Sequence, residues 1–66
     1  MKNRLRVLRA ERAWSQQELG DRLGVSRQAI NAVETGKFDP SLPLAMKLAR
    51  IFNQTVEQIF SLEDDA

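Results

Sequence analysis

The apolar residues of this chain recur every three or four positions, which is the spacing of one face of an α-helix. Leu19 and Leu23 are four residues apart, and Ile30 and Val33 are three apart. No window of four to eight residues alternates apolar and polar positions as a half-buried strand does. The pattern predicts an all-α fold of five short helices, at about residues 3–12, 16–23, 27–35, 42–52 and 56–61.

Helix start and stop signals separate these segments. Ser15 followed by Glu18 has the spacing of a capping box, in which two side chains satisfy free N–H groups at a helix start. Gly24 and Gly36 stand where helices commonly end on a left-handed residue. Residues 1–62 are therefore expected to form a single domain, followed by a frayed acidic tail at 63–66.

Residues 16–35 have the pattern of a helix-turn-helix motif. The turn at 23–26 is too short for the two helices to lie side by side, so they must cross steeply. A residue of the first helix then lies under the second and must be small, and Gly20 occupies that position. Ile30 and Val33 supply the apolar face that packs the second helix down.

The outward face of the second motif helix is polar. A rotation of about 100° per residue from Ile30 places Arg27, Gln28 and Asn31 away from the buried side. Gln and Asn match the N6 and N7 atoms of adenine, and Arg matches the O6 and N7 atoms of guanine. Any surface helix shows a polar face, but the second helix of this motif is the one that enters the major groove. These three residues are therefore the predicted base contacts.

Composition limits the possible chemistry. The chain has 66 residues with no Cys and no His, which excludes zinc fingers, disulfide scaffolds and His-assisted acid–base catalysis. A domain of this size has little room for a deep catalytic cavity. No apolar run approaches the ~18 residues of a transmembrane helix. We expect no enzyme activity, no cofactor, no bound metal, no membrane partner and a cytoplasmic location.

The net charge of +1 hides an uneven distribution. Residues 1–37 carry eight basic and four acidic side chains, whereas residues 38–66 carry two basic and five acidic ones. A basic half joined to an acidic half can present a cationic face to a polyanion. The alternative is a well-solvated surface whose asymmetry has no function.

Over about residues 4–60 the chain resembles the helix-turn-helix regulators of the phage repressor and Cro type, also called the xenobiotic response element family. The matching residues include Leu8-Arg9, Ser15-Gln16, Glu18-Leu19, Leu23-Gly24-Val25-Ser26, Ile30, Glu34, Gly36, Pro40-Ser41 and Leu48-Ala49. The resemblance implies a five-helix repressor-like domain that binds DNA as a dimer. It also implies that Arg27 and Gln28 contact bases and that Arg9 pairs with Glu34.

The resemblance further implies that Gln16 clamps a phosphate and often braces the base reader. Phosphate contacts are also expected from Lys37 and from the starts of the motif helices. The predicted phosphate set is Gln16, Gln17, Ser26, Thr35 and Lys37.

Three residues depart from the family pattern. Ala13 stands where the family commonly has Gly, which costs about 1 kcal/mol if a left-handed conformation is kept. Thr35 replaces a frequent Asn, and Gly20 replaces the more usual Ala.

A homodimer is expected on energetic grounds. A single module buries only about 600 to 1,000 Å² on DNA, too little for strong selection in a genome. A two-fold dimer doubles the base contacts and fits a palindromic operator in double-stranded DNA. The C-terminal segment contains more apolar residues than a small core needs. The predicted dimer surface is therefore Val56, Ile59, Phe60 and Leu62, with part of the fourth helix.

The sequence leaves three functions to distinguish. The first is a sequence-specific DNA-binding transcriptional regulator, a repressor. The second is an antitoxin or protein-interaction module on the same fold, in which the last two helices bind another protein chain. The third is an enzyme, for which the sequence has no nucleophile–base pair, phosphate loop or metal cluster. The first fits the motif and its polar face best.

Overall fold

The computed structural model of the protein describes residues 1–62 and confirms the all-α architecture. The predicted tail at 63–66 lies outside the described residues. The five helices are α1 (Leu5–Glu11), α2 (Gln16–Leu23), α3 (Arg27–Glu34), α4 (Leu42–Phe52) and α5 (Val56–Ile59). Two short strands join them, β1 (Lys2–Asn3) and β2 (Phe60–Ser61).

The two strands correct the predicted ends of the first and last helices. They pair antiparallel, with Lys2 opposite Ser61 and Asn3 opposite Phe60. The Asn3 side chain joins this pair to the helices, because its Nδ2 donates to the Val33 carbonyl at 2.9 Å and its Oδ1 accepts from the Leu5 N–H at 3.1 Å. A two-residue ladder is too short to show a period, so the sequence pattern contains no signal for it.

The core draws apolar side chains from all five helices. Its most deeply buried members, each at most 2% exposed, are Leu5, Leu8, Leu19, Ile30, Leu48, Phe52 and Ile59. Trp14 packs against this cluster, with its ring centroid 5.8 Å from that of Phe52. Each fully buried side chain of this kind stabilises the fold by about 1.5–3 kcal/mol. Among residues 1–62, no helix is long and apolar enough to span a membrane.

The crossing of α2 and α3 depends on Gly20. A Cβ at this position would lie 2.7 Å from the Val25 carbonyl oxygen, which is closer than van der Waals contact permits. Gly24 ends α2 in the left-handed region, with φ of 74°. The predicted requirement for a small residue at this position is therefore confirmed, although the backbone it approaches is the turn at Val25 and Ser26 that leads into α3.

Serine caps begin both motif helices. Ser15 Oγ accepts from the Glu18 N–H and Ser26 Oγ accepts from the Ala29 N–H, each at 3.0 Å. The predicted capping box at Ser15 is only half present, since the Glu18 carboxylate is directed to Arg22 at 3.6 Å. An i,i+4 ion pair on the exposed face thus takes the place of the reciprocal bond.

The turn between α1 and α2 contains backbone strain. Ala13 has φ of 56°, the left-handed region that disfavours a side chain with Cβ. The expected departure at this position is therefore confirmed, and it costs about 1 kcal/mol.

The dimer surface stays a prediction, but the structure places two of its four residues in the core of the single chain. Ile59 and Phe60 are 1% and 5% exposed and belong to the core. Val56 is partly buried against the same core, and Leu62 is 56% exposed. Phe60 is buried because β2 pairs with β1, where Asn3 lies opposite Phe60. In a domain this small, the core itself takes up these apolar side chains.

Candidate nucleic-acid interface

The α3 helix separates a buried face from a polar one. Ile30 and Val33 are 0% and 5% exposed, whereas Arg27, Gln28 and Asn31 are exposed to solvent. These three predicted base contacts line one recess of about 310 Å³. The structure therefore brings the three hydrogen-bonding side chains to a single concave surface.

A buried ion pair holds the C-terminal end of the same helix. Arg9 Nε lies 2.6 Å from Glu34 Oε2, and Arg9 Nη2 donates to Glu34 Oε1 at 3.1 Å. The Glu34 side chain is 0% exposed and that of Arg9 is 15% exposed. Arg9 Nη1 also donates to the Trp14 carbonyl at 2.8 Å. One guanidinium thus joins α1, the α1–α2 turn and α3.

The pair keeps its charges at neutral pH. Burial raises the pKa of Glu34, but hydrogen bonds from Arg9 and Gln16 outweigh it and hold the pKa below its ordinary value near 4.5. The hydrogen bond to Glu34 raises the pKa of Arg9 against the opposing effect of burial. All three side-chain nitrogens of Arg9 donate within the chain, Nε and Nη2 to Glu34 and Nη1 to the Trp14 carbonyl, so the Arg9 charge is directed into the fold.

Gln16 connects the ion pair to the polar face. Its Nε2 donates to Glu34 Oε1 at 3.0 Å and to Asn31 Oδ1 at 3.2 Å. Both side-chain N–H groups are therefore engaged by acceptors on α3, whereas a phosphate oxygen needs a donor. In this arrangement the Gln16 side chain holds Asn31 in place. A phosphate contact from Gln16 stays a prediction. The backbone N–H of Gln16 is better suited to that contact than its side-chain amide.

The starts of the motif helices offer further donors. By their position in α2, the backbone N–H groups of Gln16 and Gln17 have no intrahelical acceptor. The Gln17 side chain donates to Asp21 Oδ1 at 2.8 Å, so its Nε2 is partly engaged. The Ser26 hydroxyl oxygen accepts from the chain, and its own O–H is a donor that can rotate outward.

The remaining two phosphate candidates differ. Thr35 Oγ1 donates to the Asn31 carbonyl at 2.9 Å, which uses the hydrogen that a phosphate would require. Lys37 is exposed and lines the recess together with Phe38, and its Nζ lies 5.9 Å from the centre of the Phe38 ring. Lys37 is thus better suited to a phosphate contact than Thr35.

Sequence reasoning missed Phe38. This side chain is 62% exposed and lies beside the predicted base contacts, where it lines the same recess with Ala32. The available signal was a single aromatic residue in an otherwise polar and small stretch at 35–41.

The recess is electropositive. Its lining within the described residues contains two cations, Arg27 and Lys37, and no carboxylate. The nearby acidic groups are directed elsewhere, since Glu34 pairs with Arg9 and Asp39 Oδ1 lies 3.3 Å from the Met1 amino group. The surface therefore combines local positive charge with exposed amides, which is the chemistry that nucleic acid requires.

Comparison with known proteins agrees with this geometry. The helix-turn-helix family matches residues 5–59, which is most of the chain. The protein therefore belongs to the helix-turn-helix family, and the resemblance to regulators of the phage repressor and Cro type is confirmed.

The relatives are distributed across archaea and bacteria. The chain is 52% identical to an uncharacterized HTH-type transcriptional regulator of Methanocaldococcus jannaschii, over 98% of both chains. It is 43% identical to the uncharacterized HTH-type transcriptional regulator YgzD of Bacillus subtilis, again over 98% of both. It is also 36% identical to the competence pilus inhibition repressor of Acinetobacter baylyi, over 92% of this chain and 56% of that protein.

Proposed function

We propose that the protein is a sequence-specific double-stranded DNA-binding regulator that inserts α3 into the major groove. The observation that carries this proposal is the convergence of Arg27, Gln28 and Asn31 on one cationic recess. The family favours a DNA-binding transcriptional regulator over an enzyme. In this proposal the three side chains contact base edges.

The bracing of Asn31 supports a role in base recognition. Its Oδ1 accepts from Gln16, which fixes the plane of the amide and leaves the Nδ2 group as a donor. A carboxamide can match adenine with one donor and one acceptor, and the amide oxygen has a second lone pair for that purpose. A side chain held by a second residue loses less rotamer entropy when it binds.

Phosphate contacts surround this face in the proposal. Lys37 supplies a point charge, and the N–H groups that begin α2 and the Ser26 hydroxyl supply neutral donors. Each phosphate neutralised by a cation changes the slope of log affinity against log salt by about 0.9. Lys37→Ala should therefore reduce that slope by roughly 0.9 per subunit and weaken all DNA sequences alike. An unchanged slope would remove Lys37 from the interface.

Repression is the mode of action we propose. The Acinetobacter relative is named as a repressor. A small domain that occupies its DNA site excludes other proteins from the same groove, and it needs no further chemistry to do so.

The proposal includes a homodimer on a palindromic operator. Two recognition helices about 34 Å apart would contact successive major grooves on one side of the DNA. Of the predicted surface, Val56 and Leu62 retain exposed apolar area. Leu62→Asp should lower the dimer fraction in sedimentation equilibrium without unfolding the chain. Val7→Asp changes a similarly exposed residue of α1 and serves as the control. A wild-type chain that stays monomeric at tens of micromolar would contradict the dimer.

The direct test of the proposed function is selection from a random pool of double-stranded DNA. We expect the wild-type protein to enrich one motif with two-fold symmetry. Failure to enrich any sequence, with the folded protein present at micromolar concentration, would contradict sequence-specific binding.

A further inference from the structure

We propose that Phe38 is a specificity-determining residue that contacts the C5-methyl group of a thymine beside the bases read by α3. This inference rests on the proposed function, since it assigns one more contact to the same DNA surface. It concerns a residue outside the recognition helix and a different chemical group of the base pair.

Phe38 is an unusual residue for its position. Its side chain is 62% exposed and is flanked by the charged residues Lys37 and Asp39. An exposed ring leaves unused the stabilisation that burial of its apolar surface would give. Within the described chain, Phe38 is the one large exposed apolar side chain that lines the recess of Arg27 and Gln28. An apolar partner on the DNA would cover it when the recess is occupied.

The backbone holds Phe38 firmly against α3. The N–H groups of Lys37 and Phe38 both donate to the Ala32 carbonyl, at 3.0 and 3.1 Å. Gly36 takes a positive φ of 78° and donates to the Val33 carbonyl at 3.1 Å, which ends the helix and turns the chain back along it. Phe38 is thus placed by α3 itself and would move with the recognition helix.

The recess combines the two kinds of group that an A·T pair presents. In the major groove, adenine offers N7 and N6 for a carboxamide, and its thymine partner offers a methyl group. Gln28 and Asn31 supply carboxamides, and Phe38 with the Ala32 methyl group supplies an apolar wall. Carboxamides next to an apolar wall therefore complement this base pair better than a G·C pair, which has no methyl group.

Lys37 adds a constraint on orientation. Its Nζ lies 5.9 Å from the centre of the Phe38 ring. An ammonium group on a phosphate would keep the neighbouring ring at the edge of the groove, where thymine methyl groups project.

The test uses the wild-type protein and a duplex of its selected sequence. Each thymine of one half-site is replaced by uracil in turn, which removes only the methyl group. We expect one position per half-site at which uracil lowers the affinity about fourfold, the contribution of one buried methyl-sized group. This arm needs no protein variant, and the absence of any uracil-sensitive position would overturn the proposal.

The second arm uses Phe38→Ala. The affinity of this variant for the thymine duplex should be about fourfold lower than that of wild type. The variant should bind the thymine and uracil duplexes with equal affinity. Phe38→Leu should retain part of the discrimination, and Leu42→Ala, a change at an exposed apolar residue outside the recess, should retain all of it. Equal discrimination by wild type and Phe38→Ala would overturn the proposal. An equal loss of affinity by Phe38→Ala on both duplexes, with wild type insensitive to uracil, would instead place the ring against deoxyribose and also overturn it.

Failure of this inference is distinguishable from failure of the proposed function. If α3 does not read DNA, the wild-type protein enriches no sequence and there is no selected duplex to compare. If α3 reads DNA but Phe38 does not contact a methyl group, selection succeeds and the uracil substitutions have no effect that depends on Phe38.

Discussion

The two ends of α3 use polar side chains for opposite purposes. At its N-terminal end, Arg27 and Gln28 are exposed and line a recess open to solvent. At its C-terminal end, the Glu34 side chain is 0% exposed and is held by Arg9 at 2.6 Å. Helical phase does not explain this difference. Glu34 follows Arg27 by seven residues, and a rotation of about 100° per residue brings it within about 20° of the direction of Arg27 around the helix axis. Contacts from other elements decide which end is a surface.

Gln16 joins the two ends. Its single Nε2 group donates to Glu34 at 3.0 Å and to Asn31 at 3.2 Å. The anchored end therefore sets the position of a side chain on the exposed face. This arrangement predicts that changes at one end alter stability and that changes at the other alter DNA binding.

Removal of the anchor should have the largest effect. Arg9→Ala leaves the buried Glu34 carboxylate without its ion-pair partner, and breaking a buried pair in this way costs about 3–5 kcal/mol. Chemical denaturation should show the midpoint falling accordingly. Arg4→Ala removes an exposed arginine at the start of the same helix, one whose side chain makes no cap hydrogen bond, and should change the free energy of unfolding by less than about 0.5 kcal/mol.

A double variant separates charge from packing. Arg9→Met with Glu34→Met removes both charges and retains side chains of similar bulk, so it should recover much of the stability lost in Arg9→Ala. A structural ion pair would be contradicted if Arg9→Ala left the denaturation midpoint unmoved, or if Arg4→Ala lowered it equally.

Changes at the exposed end should affect binding. Arg27→Ala and Gln28→Ala should each cost about 1–3 kcal/mol on the preferred site and relax the preference at one position per half-site. Because both side chains are exposed, the free energy of unfolding should stay within about 0.5 kcal/mol of wild type. A selected motif identical to that of wild type for both variants would remove these residues from base recognition.

The anchored end should also respond to pH. Because the folded-state pKa of Glu34 lies below its ordinary value near 4.5, the ion pair contributes stability above that value and loses it as the pH falls further through the folded-state pKa. Denaturation series between neutral pH and acid should show this loss in wild type. In the Arg9→Met, Glu34→Met variant the free energy of unfolding should decline less steeply as the pH falls. An identical pH dependence in wild type and variant would mean that other carboxylates account for the loss of stability.

Release of the strained turn should have the smallest effect. Ala13→Gly removes the cost of a left-handed Ala, about 1 kcal/mol or slightly more, and adds some backbone entropy to the unfolded chain. We expect a net gain of at most about 0.6 kcal/mol in the free energy of unfolding, with DNA affinity unchanged. Asn53 has a similar φ of 53°, but Asn tolerates this region, so Asn53→Gly should gain less.

The sequence predicted the elements whose information is local. Periodicity located the five helices, and the steric need at Gly20 identified the crossing of α2 and α3. The pairing of Arg9 with Glu34 came from family resemblance, since no spacing rule joins residues 25 positions apart. No local pattern predicts that residues 2–3 pair with residues 60–61. The two strands, the contacts of Asn3 and the burial of Phe60 all depend on this pairing.

The candidate site divides in the same way. The outward direction of Arg27, Gln28 and Asn31 followed from helical phase alone. Helical phase did not predict that the Gln16 amide donates to Glu34 or that Phe38 lies beside the recess. Both contacts depend on segments outside α3 that pack against it. Sequence thus predicted which face is polar, and the structure shows how its residues are held.

We propose that the N-terminal end of α3 contacts DNA while its C-terminal end only holds the fold. An NMR titration of the labelled protein with its selected duplex tests this directly. The side-chain amides of Gln28 and Asn31 and the backbone amides of residues 26–28, 37 and 38 should show the largest shifts, and the Arg9 Nε–H resonance should stay close to its free position. Shifts concentrated on α4 and α5, with the Gln28 and Asn31 amides unmoved, would contradict the account.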